Sequence, residues 1–372
     1  MKLNVIGITS GIGSLQYGFK KSGFNVLHSH EWRKYYHDSK TYEANYLQEN
    51  TEIYECLTNY KGVDCIVSHP ECGNFSNLYT GKNRETRQSD PGDIYKFMEL
   101  CRNYQPKTFL VDNLPKSLIA VTKEDWENYF PDYKFQIEMV SNWGYGNVQK
   151  NRNRLFIIGI HKDLDFKFVP NEFYHNKKTG DVLLDIEKNC NGHLKMPLDV
   201  IVDGWNKTWI DEDKNGPGKV TLGDMQNFFK RNGYQNFTYK NSKGEYKTRP
   251  GYSVLNMAKT CAVLSGGGAS AFDNFYLFDE KDNYYRPLTI RERARIQGFK
   301  DDFILTPDGY DFYENKKKYQ SLAKSTGKCM PVEFPQEFSR QLSDYLLNGV
   351  NQDFKPFRIL KQPHKFKQLT LL

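Results

Sequence analysis

No stretch of this 372-residue chain approaches the length of apolar sequence needed to cross a bilayer. Met1-Lys-Leu-Asn-Val-Ile-Gly runs straight into a strand pattern and leaves no room for a signal peptide. Cysteine is sparse: the seven are odd in number and scattered, with no paired metal-ligand spacing, so neither a disulfide framework nor a zinc site is expected. Internal repeats and low-complexity arrays are also missing, which excludes a repeat architecture. These absences predict a protein of a reducing cytoplasm, with no membrane segment and no metal. Charge of one sign is only mildly in excess, and the net +7 suits a polyanionic partner without demanding one. What is present is core-forming: 38% hydrophobic and 15% aromatic residues, in a chain long enough for one large core and a second, smaller domain.

The most informative stretch is Asp64-Cys-Ile-Val-Ser-His-Pro-Glu-Cys72-Gly-Asn-Phe-Ser76. A short apolar run ending in a Pro/Gly-bearing turn reads as a buried parallel strand that delivers Cys72 to the carboxyl edge of a sheet, where open α/β proteins place their chemistry. Cys72 is a candidate nucleophile, and a buried thiol acting as a small apolar group is the alternative. At the N-terminus, a strand over residues 3–7 is followed by Thr9-Ser10-Gly11-Ile12-Gly13 and a helical pattern through Leu15 and Phe19. Backbone amides and a helix start so placed can face a nucleotide-like ligand. A second strand, residues 25–28, leads to Glu31-Trp32, where a carboxylate suits ribose hydroxyls, although a solvated loop charge would look the same. Glu52 lies at the edge of a third unit and could contact an adenine.

Beyond Cys72, residues 81–92 read as a polar, glycine-bounded loop over the site. A helix from Ile94 to Tyr104 leads into the strand 108–111, which ends at Asp112-Asn113 and so places a second reactive-looking side chain at a strand's carboxyl end, although a helix-capping aspartate would look similar. Arg152 and Arg154 enter an apolar strand at alternate positions, and alternation sends both to one face. Residues 161–285 are polar and irregular, with Trp205, Trp209, Phe228, Phe229, Tyr234, Phe237 and Tyr239 among Lys and Arg, a mixture that fits either a nucleic-acid surface or a small core. The run 265–268, Ser and three Gly, marks a hinge or a close backbone approach. Regular sequence resumes at Arg286, where Thr289 and Glu292 form a capping-box pattern and Gly298 a stop signal. The last element is an amphipathic helix over residues 335–347.

In order and across nearly the whole chain, these stretches resemble the DNA cytosine-5 methyltransferase family. The resemblance rests on Ser10-Gly-Ile-Gly13, Glu31, the Pro-x-Cys-x-x-Phe-Ser of 70–76, Asp112-Asn-Leu, Arg152-x-Arg154, Arg286-Pro-Leu-Thr-x-Arg-Glu-x-Ala-Arg-x-Gln-Gly-Phe299 and Gly327-Lys-Cys-Met-Pro331. It implies an α/β, Rossmann-like catalytic domain that binds S-adenosyl-L-methionine, begun by residues 1–160 and completed by 286–372. It also implies a small irregular target-recognition domain over 161–285, and double-stranded DNA as partner with a base flipped into the pocket. A monomer is expected. On this reading Cys72 adds to carbon 6 of cytosine, because carbon 5 is a poor nucleophile until a thiolate has done so. Asp112 holds ring nitrogen 3 and the exocyclic amine, Arg154 meets the base carbonyl, and Arg152 supports the loop. Thr9, Ser10, Gly11, Ile12, Gly13, Glu31, Trp32, Glu52 and Lys328 fall at cofactor positions.

The chain departs from the family pattern at several places. Glu71 replaces the usual proline before the cysteine, Gly73 replaces a glutamine, and Asp112 is shorter than the usual glutamate. Thr9 stands where an aromatic packs on the cofactor, and either Gln149 or Lys150 fills a glutamine place. Lys328 replaces an asparagine beside the cofactor's sulfonium end. An ammonium there calls for an anion, either Glu71, a phosphate, or a carboxylate on the transferred group of carboxy-S-adenosyl-L-methionine, which would make 5-carboxymethylcytosine. Methyl transfer to DNA is the first expectation. The alternatives are carboxymethyl transfer, a tRNA cytosine methyltransferase, and a DNA-binding relative that has lost turnover.

Overall fold

In the computed structural model, residues 2–9, 11–29, 31, 44–45, 62–76, 90–187, 189–203, 221–232, 234–240, 246–261, 263–264, 275–307, 309 and 311–353 are described. Their frame is a six-stranded sheet in the order β2-β1-β3-β4-β6-β5. The strands are β1 (Asn4–Ile8), β2 (Asn25–Ser29), β3 (Cys65–Ser68), β4 (Thr108–Asn113), β5 (Tyr133–Ser141) and β6 (Asn153–His161). β1 to β4 pair in parallel, whereas β6 runs antiparallel to both β4 and β5. The carboxyl ends of four parallel strands and the start of β6 therefore share one edge.

Both faces of the sheet are covered at its centre, which is why β3, β4 and β6 are largely apolar runs, whereas the edge strand β5 alternates Lys134, Gln136 and Glu138 with apolar residues. Val5, Val67, Leu110, Phe156 and Ile158 point to one core. Ile6, Ile66, Phe109, Val111, Leu155 and Ile157 point to the other. The second core is closed by α2 (Asp93–Tyr104) and α4 (Lys123–Tyr129), through Phe97, Met98 and Trp126; the short α3 (Ser117–Ala120) precedes α4. The first is closed by α1 (Ser14–Lys21) and by the last helix of the described chain, whose range begins two residues before the expected amphipathic run, at Glu333–Asn348. The two helices approach so closely that a Cβ on Gly18 would lie 2.8 Å from the Pro335 side chain.

Between β6 and that helix come α5 (Gly180–Leu183) and α6 (Leu222–Asn232), then the strands β7 (Tyr234–Lys240), β8 (Tyr246–Val254), β9 (Phe275–Asp279) and β10 (Tyr284–Pro287). They form a second sheet in the order β10-β9-β8-β7. The sequence pattern of this segment reads as irregular, but four strands are present; Pro250 and the short, polar strands hide the alternation that would announce them. Trp205, Trp209 and the glycine run of 265–268 lie outside the described residues.

α7 (Ile290–Ile296) starts at Thr289 with the complete capping box: the Thr289 hydroxyl accepts from the Glu292 amide and the Glu292 carboxylate accepts from the Thr289 amide. Gly298, at φ 86°, ends it. α8 (Lys316–Lys328) and α9 (Glu333–Asn348) follow. Among the described residues, no helix is long and apolar enough to cross a membrane.

Candidate active site

The shared edge gathers side chains from five chain segments. β1 ends in the glycine turn, where Gly11 and Gly13 take positive φ and Gly13 caps α1. A Cβ added at Gly11 would meet nothing within 4 Å, so the turn faces open space. Glu31, just past β2, is buried and accepts a hydrogen bond from the Gly11 amide at 3.0 Å. Thr9 has the left-handed φ of 51°, rare for a β-branched residue, and its hydroxyl lies 2.6 Å from that of Ser68, which ties the ends of β1 and β3 together. Ile12 turns into the core. Ser10, Trp32, Glu52 and the loop 81–89 fall outside the described residues.

β3 delivers Cys72 where its sequence predicts, on the turn beyond the strand. Cys72 lines a small pocket together with Gly11, His69, Glu71, Ser325, Lys328 and Cys329. β4 places Asp112 at its carboxyl end, wholly buried. Opposite it, β6 presents Arg154, whose Nε and Nη2 donate to the two oxygens of Asp112 at 2.9 and 2.7 Å. The capping alternative for Asp112 is not what is found: its carboxylate sits in a charged pair. His69, which the sequence gave no reason to single out, approaches Asp112 from β3 with its Nδ1 2.5 Å from Oδ2.

Burial alone would push the Cys72 thiol up, but its hydrogen bond to His69 and the charges of Arg154 and His69 bring it down to about 6. Among the described cysteines, Cys65, Cys101, Cys190, Cys261 and Cys329 shift the other way, raised chiefly by burial. Burial would also raise Asp112, yet Arg154 and His69 hold its carboxyl below the ordinary range. Among the described cysteines, Cys72 is thus the one whose surroundings favour the thiolate at neutral pH.

The two arginines reach different partners. Arg152 stands just before β6 and donates to the carbonyls of Leu264, Gly327 and Cys329 at 2.7, 3.2 and 2.5 Å. It fastens the segment that carries Lys328 to the pocket. Lys328 Nζ lies 3.8 Å from Glu71 Oε1, so Glu71 answers its ammonium. Gln149 is the buried member of its pair and bonds Gln297 at 2.8 Å and the Leu264 amide at 2.9 Å, whereas Lys150 is exposed. No group of His, Cys, Asp or Glu among the described residues could hold a metal ion.

A family model described as C-5 cytosine-specific DNA methylase matches residues 3–344. The chain belongs to that family. Curated relatives of this methylase include the type II methyltransferase M.FnuDI of Fusobacterium nucleatum, 25% identical over 92% of this chain and 95% of that one. Another is M.MthTI of Methanothermobacter thermautotrophicus, 24% identical over 94% and 100%. The methylase is an enzyme of this kind, with the mixed α/β, Rossmann-like fold of its structural neighbours. Among solved structures, the Entamoeba histolytica methyltransferase EhMeth aligns over 93% of this chain and 99% of its own, with TM-score 0.58 at 15% identity. The Dnmt2 methyltransferase of S. pombe aligns over 93% and 100%, with TM-score 0.57 at 11% identity.

Proposed function

We propose that this methylase transfers a methyl group from S-adenosyl-L-methionine to carbon 5 of a cytosine flipped out of double-stranded DNA, through a covalent adduct on Cys72. The observation that carries this reading is the convergence, at one sheet edge, of a low-pKa thiol, the buried Asp112–Arg154 pair and an open glycine turn. The residues of the turn fit the donor: Gly11 leaves room beside the backbone amides, and Glu31 supplies the carboxylate at the end of β2. When bound, the donor supplies an electrophilic methyl carbon.

The chain's own groups perform the rest. Cys72 Sγ bonds to carbon 6 and drives electron density to carbon 5. Asp112, held ionised by Arg154, accepts from the exocyclic amine, and a proton taken up from solvent at ring nitrogen 3 neutralises charge as the adduct forms and is given back when the product leaves. An ionised carboxylate has about four acceptor positions, so the three bonds it receives from Arg154 and His69 leave one, which the exocyclic amine takes. Arg154 meets the base carbonyl with its remaining N–H groups, and Arg152 holds the pocket wall. Once carbon 5 carries the methyl group, loss of its proton to solvent lets the carbon–sulfur bond break, and the electron pair returns to Cys72. Residues 1–160 and 286–372 make up the catalytic unit on this reading, and 161–285 read the duplex.

A carboxylated donor would require Lys328 to answer its carboxylate. The Glu71 partner at 3.8 Å favours the plain methyl donor instead. Nucleosides from DNA of cells expressing the protein, analysed by mass spectrometry beside a Cys72→Ala control, test both. 5-Methylcytosine that depends on Cys72 is the expected result. A 5-carboxymethylcytosine peak would reassign Lys328. No modified base from folded protein would remove the reading in favour of an RNA substrate or of DNA binding without turnover, and trapping on 5-fluorocytosine DNA would exclude the latter.

A further inference from the structure

His69 stands one residue beyond β3 with its ring almost wholly buried, against both Asp112 and Cys72. An ionised carboxylate only accepts, so the 2.5 Å contact makes Nδ1 the donor to Asp112 Oδ2. The 3.2 Å approach of Arg154 Nη2 to the same Nδ1 is then not a hydrogen bond, because both atoms carry protons. Asp112 thereby fixes the tautomer and leaves Nε2 as the basic nitrogen. The side chains of His69 and Cys72 line the same pocket and hydrogen-bond each other.

We propose that His69 takes the Cys72 proton on Nε2 and keeps it, so that the nucleophile waits as a thiolate–imidazolium pair anchored by Asp112 before any base enters. The inference deepens the reading of Cys72 as nucleophile and rests on it. In the step itself the S–H bond breaks, its electron pair stays on sulfur, an Nε2–H bond forms, and net charge is unchanged. The imidazolium persists while sulfur is bonded to carbon 6 and faces the thiolate again on elimination. It is therefore already protonated when the carbon 5 proton leaves, and that proton goes to solvent.

The surroundings support separated charges. The groups facing the thiol are Glu71 on its own turn, Asp112 at the end of β4, Arg152 and Arg154 at the start of β6, Lys328 at the end of α8 and Cys329 just after it. Glu71 raises the thiol, but it is paired with Lys328; Arg154 and an imidazolium both lower it. Asp112 and the thiolate in turn favour the protonated imidazole against a burial that opposes it.

The test is the pH dependence of Cys72 alkylation by iodoacetamide in the full chain without DNA, read by peptide mass spectrometry, for wild type and His69→Gln. Glutamine can still donate to Asp112 but cannot store a proton. The wild-type rate is expected to reach half its plateau well below the ordinary thiol value of about 8.5. In His69→Gln that midpoint should rise by a unit or more, with a roughly tenfold slower reaction at pH 7. An unmoved midpoint would overturn the proposal and reduce His69 to a prop for Asp112. Should His69→Gln fail to fold, the His69 ring titration followed by NMR in wild type and Cys72→Ser decides. A lower His69 midpoint in the serine variant supports the pair, and an identical one overturns it. Neither assay uses cytosine or donor, so a shifted alkylation profile in a protein that modifies no DNA removes only the proposed function. DNA methylation with an unshifted profile removes only the pair.

Discussion

Arg154 and Asp112 form a two-point ion pair in which neither partner keeps appreciable contact with water. Breaking such a pair from one side is costly because the other charge stays buried, typically by about 3–5 kcal/mol, and His69 Nδ1 alone answers only one oxygen of Asp112. Arg154→Met is accordingly expected to lower stability by about that amount in urea denaturation, even though methionine preserves much of the packing. Adding Asp112→Asn to it should recover at least about half of the loss, since an amide does not strand a charge. Strict additivity of the two changes would contradict the pairing. Cys72, Asp112 and Arg154 were legible in the chain because each follows or opens an apolar run, and a parallel sheet brings such positions to one edge whatever the intervening loops do. His69 was not legible. A single histidine between a strand and a proline carries no periodic signal, and its meaning comes from Asp112, forty-three residues away.

α8 has two chemically different faces. Tyr319, Leu322, Ser325 and Thr326 are buried, while Lys317, Ser321, Lys324 and Lys328 fall at helical spacing on the other side. Lys317 is exposed and Lys324 partly so, and the row ends at the pocket through Lys328. If the base enters that pocket from a duplex, this row lies beside its phosphates. Lys317→Ala with Lys324→Ala should weaken DNA binding and reduce the slope of log affinity against log salt by about 2. An unchanged slope would place the backbone elsewhere. Nothing in the sequence marks Lys317 and Lys324 as neighbours of the pocket, because helix boundaries decide which lysines share a face. The Arg286–Phe299 stretch owes its pattern to structure: Arg286 donates to Glu292 at 2.8 Å and to Asp279 at 2.9 Å, and buried Arg291 donates to the Asn191 and Lys300 carbonyls at 2.8 and 3.0 Å. Its capping box is readable from two residues, Thr289 and Glu292. The partners at Asp279 and Asn191 are set by the tertiary fold.

The molecule is closed by polar contacts between stretches far apart in the chain. Asn147, before β6, donates from Nδ2 to the Ile296 carbonyl at 3.0 Å and to both oxygens of Glu333 at 3.1 Å. Gln297 donates to the Thr326 carbonyl at 2.6 Å and accepts the Val332 amide at 3.0 Å. Gly298 leaves the space that the Glu333 carboxylate fills, since a Cβ there would lie 2.6 Å from it. This junction makes overall stability sensitive to pH. Burial raises the Glu333 carboxyl to about 7, against the opposing effects of Lys177 and the Asn147 bond. A folded-state value above the unfolded one means that the protonated form is favoured by folding. Its contribution is complete below the ordinary glutamate range, falls as pH rises from there to about 7, and is absent above. Glu333→Gln keeps an oxygen for Asn147 and has no charge to bury, so it should unfold at higher urea than wild type at pH 8.5. The advantage should be on the order of 1–3 kcal/mol, at the low end where the carboxylate keeps contact with solvent, and should shrink towards zero near pH 4. Other titrating groups cancel in the difference between the two proteins. Parallel stability curves across that range would show that the carboxylate is ionised without penalty, and that the junction is held by its amide and carbonyl bonds alone.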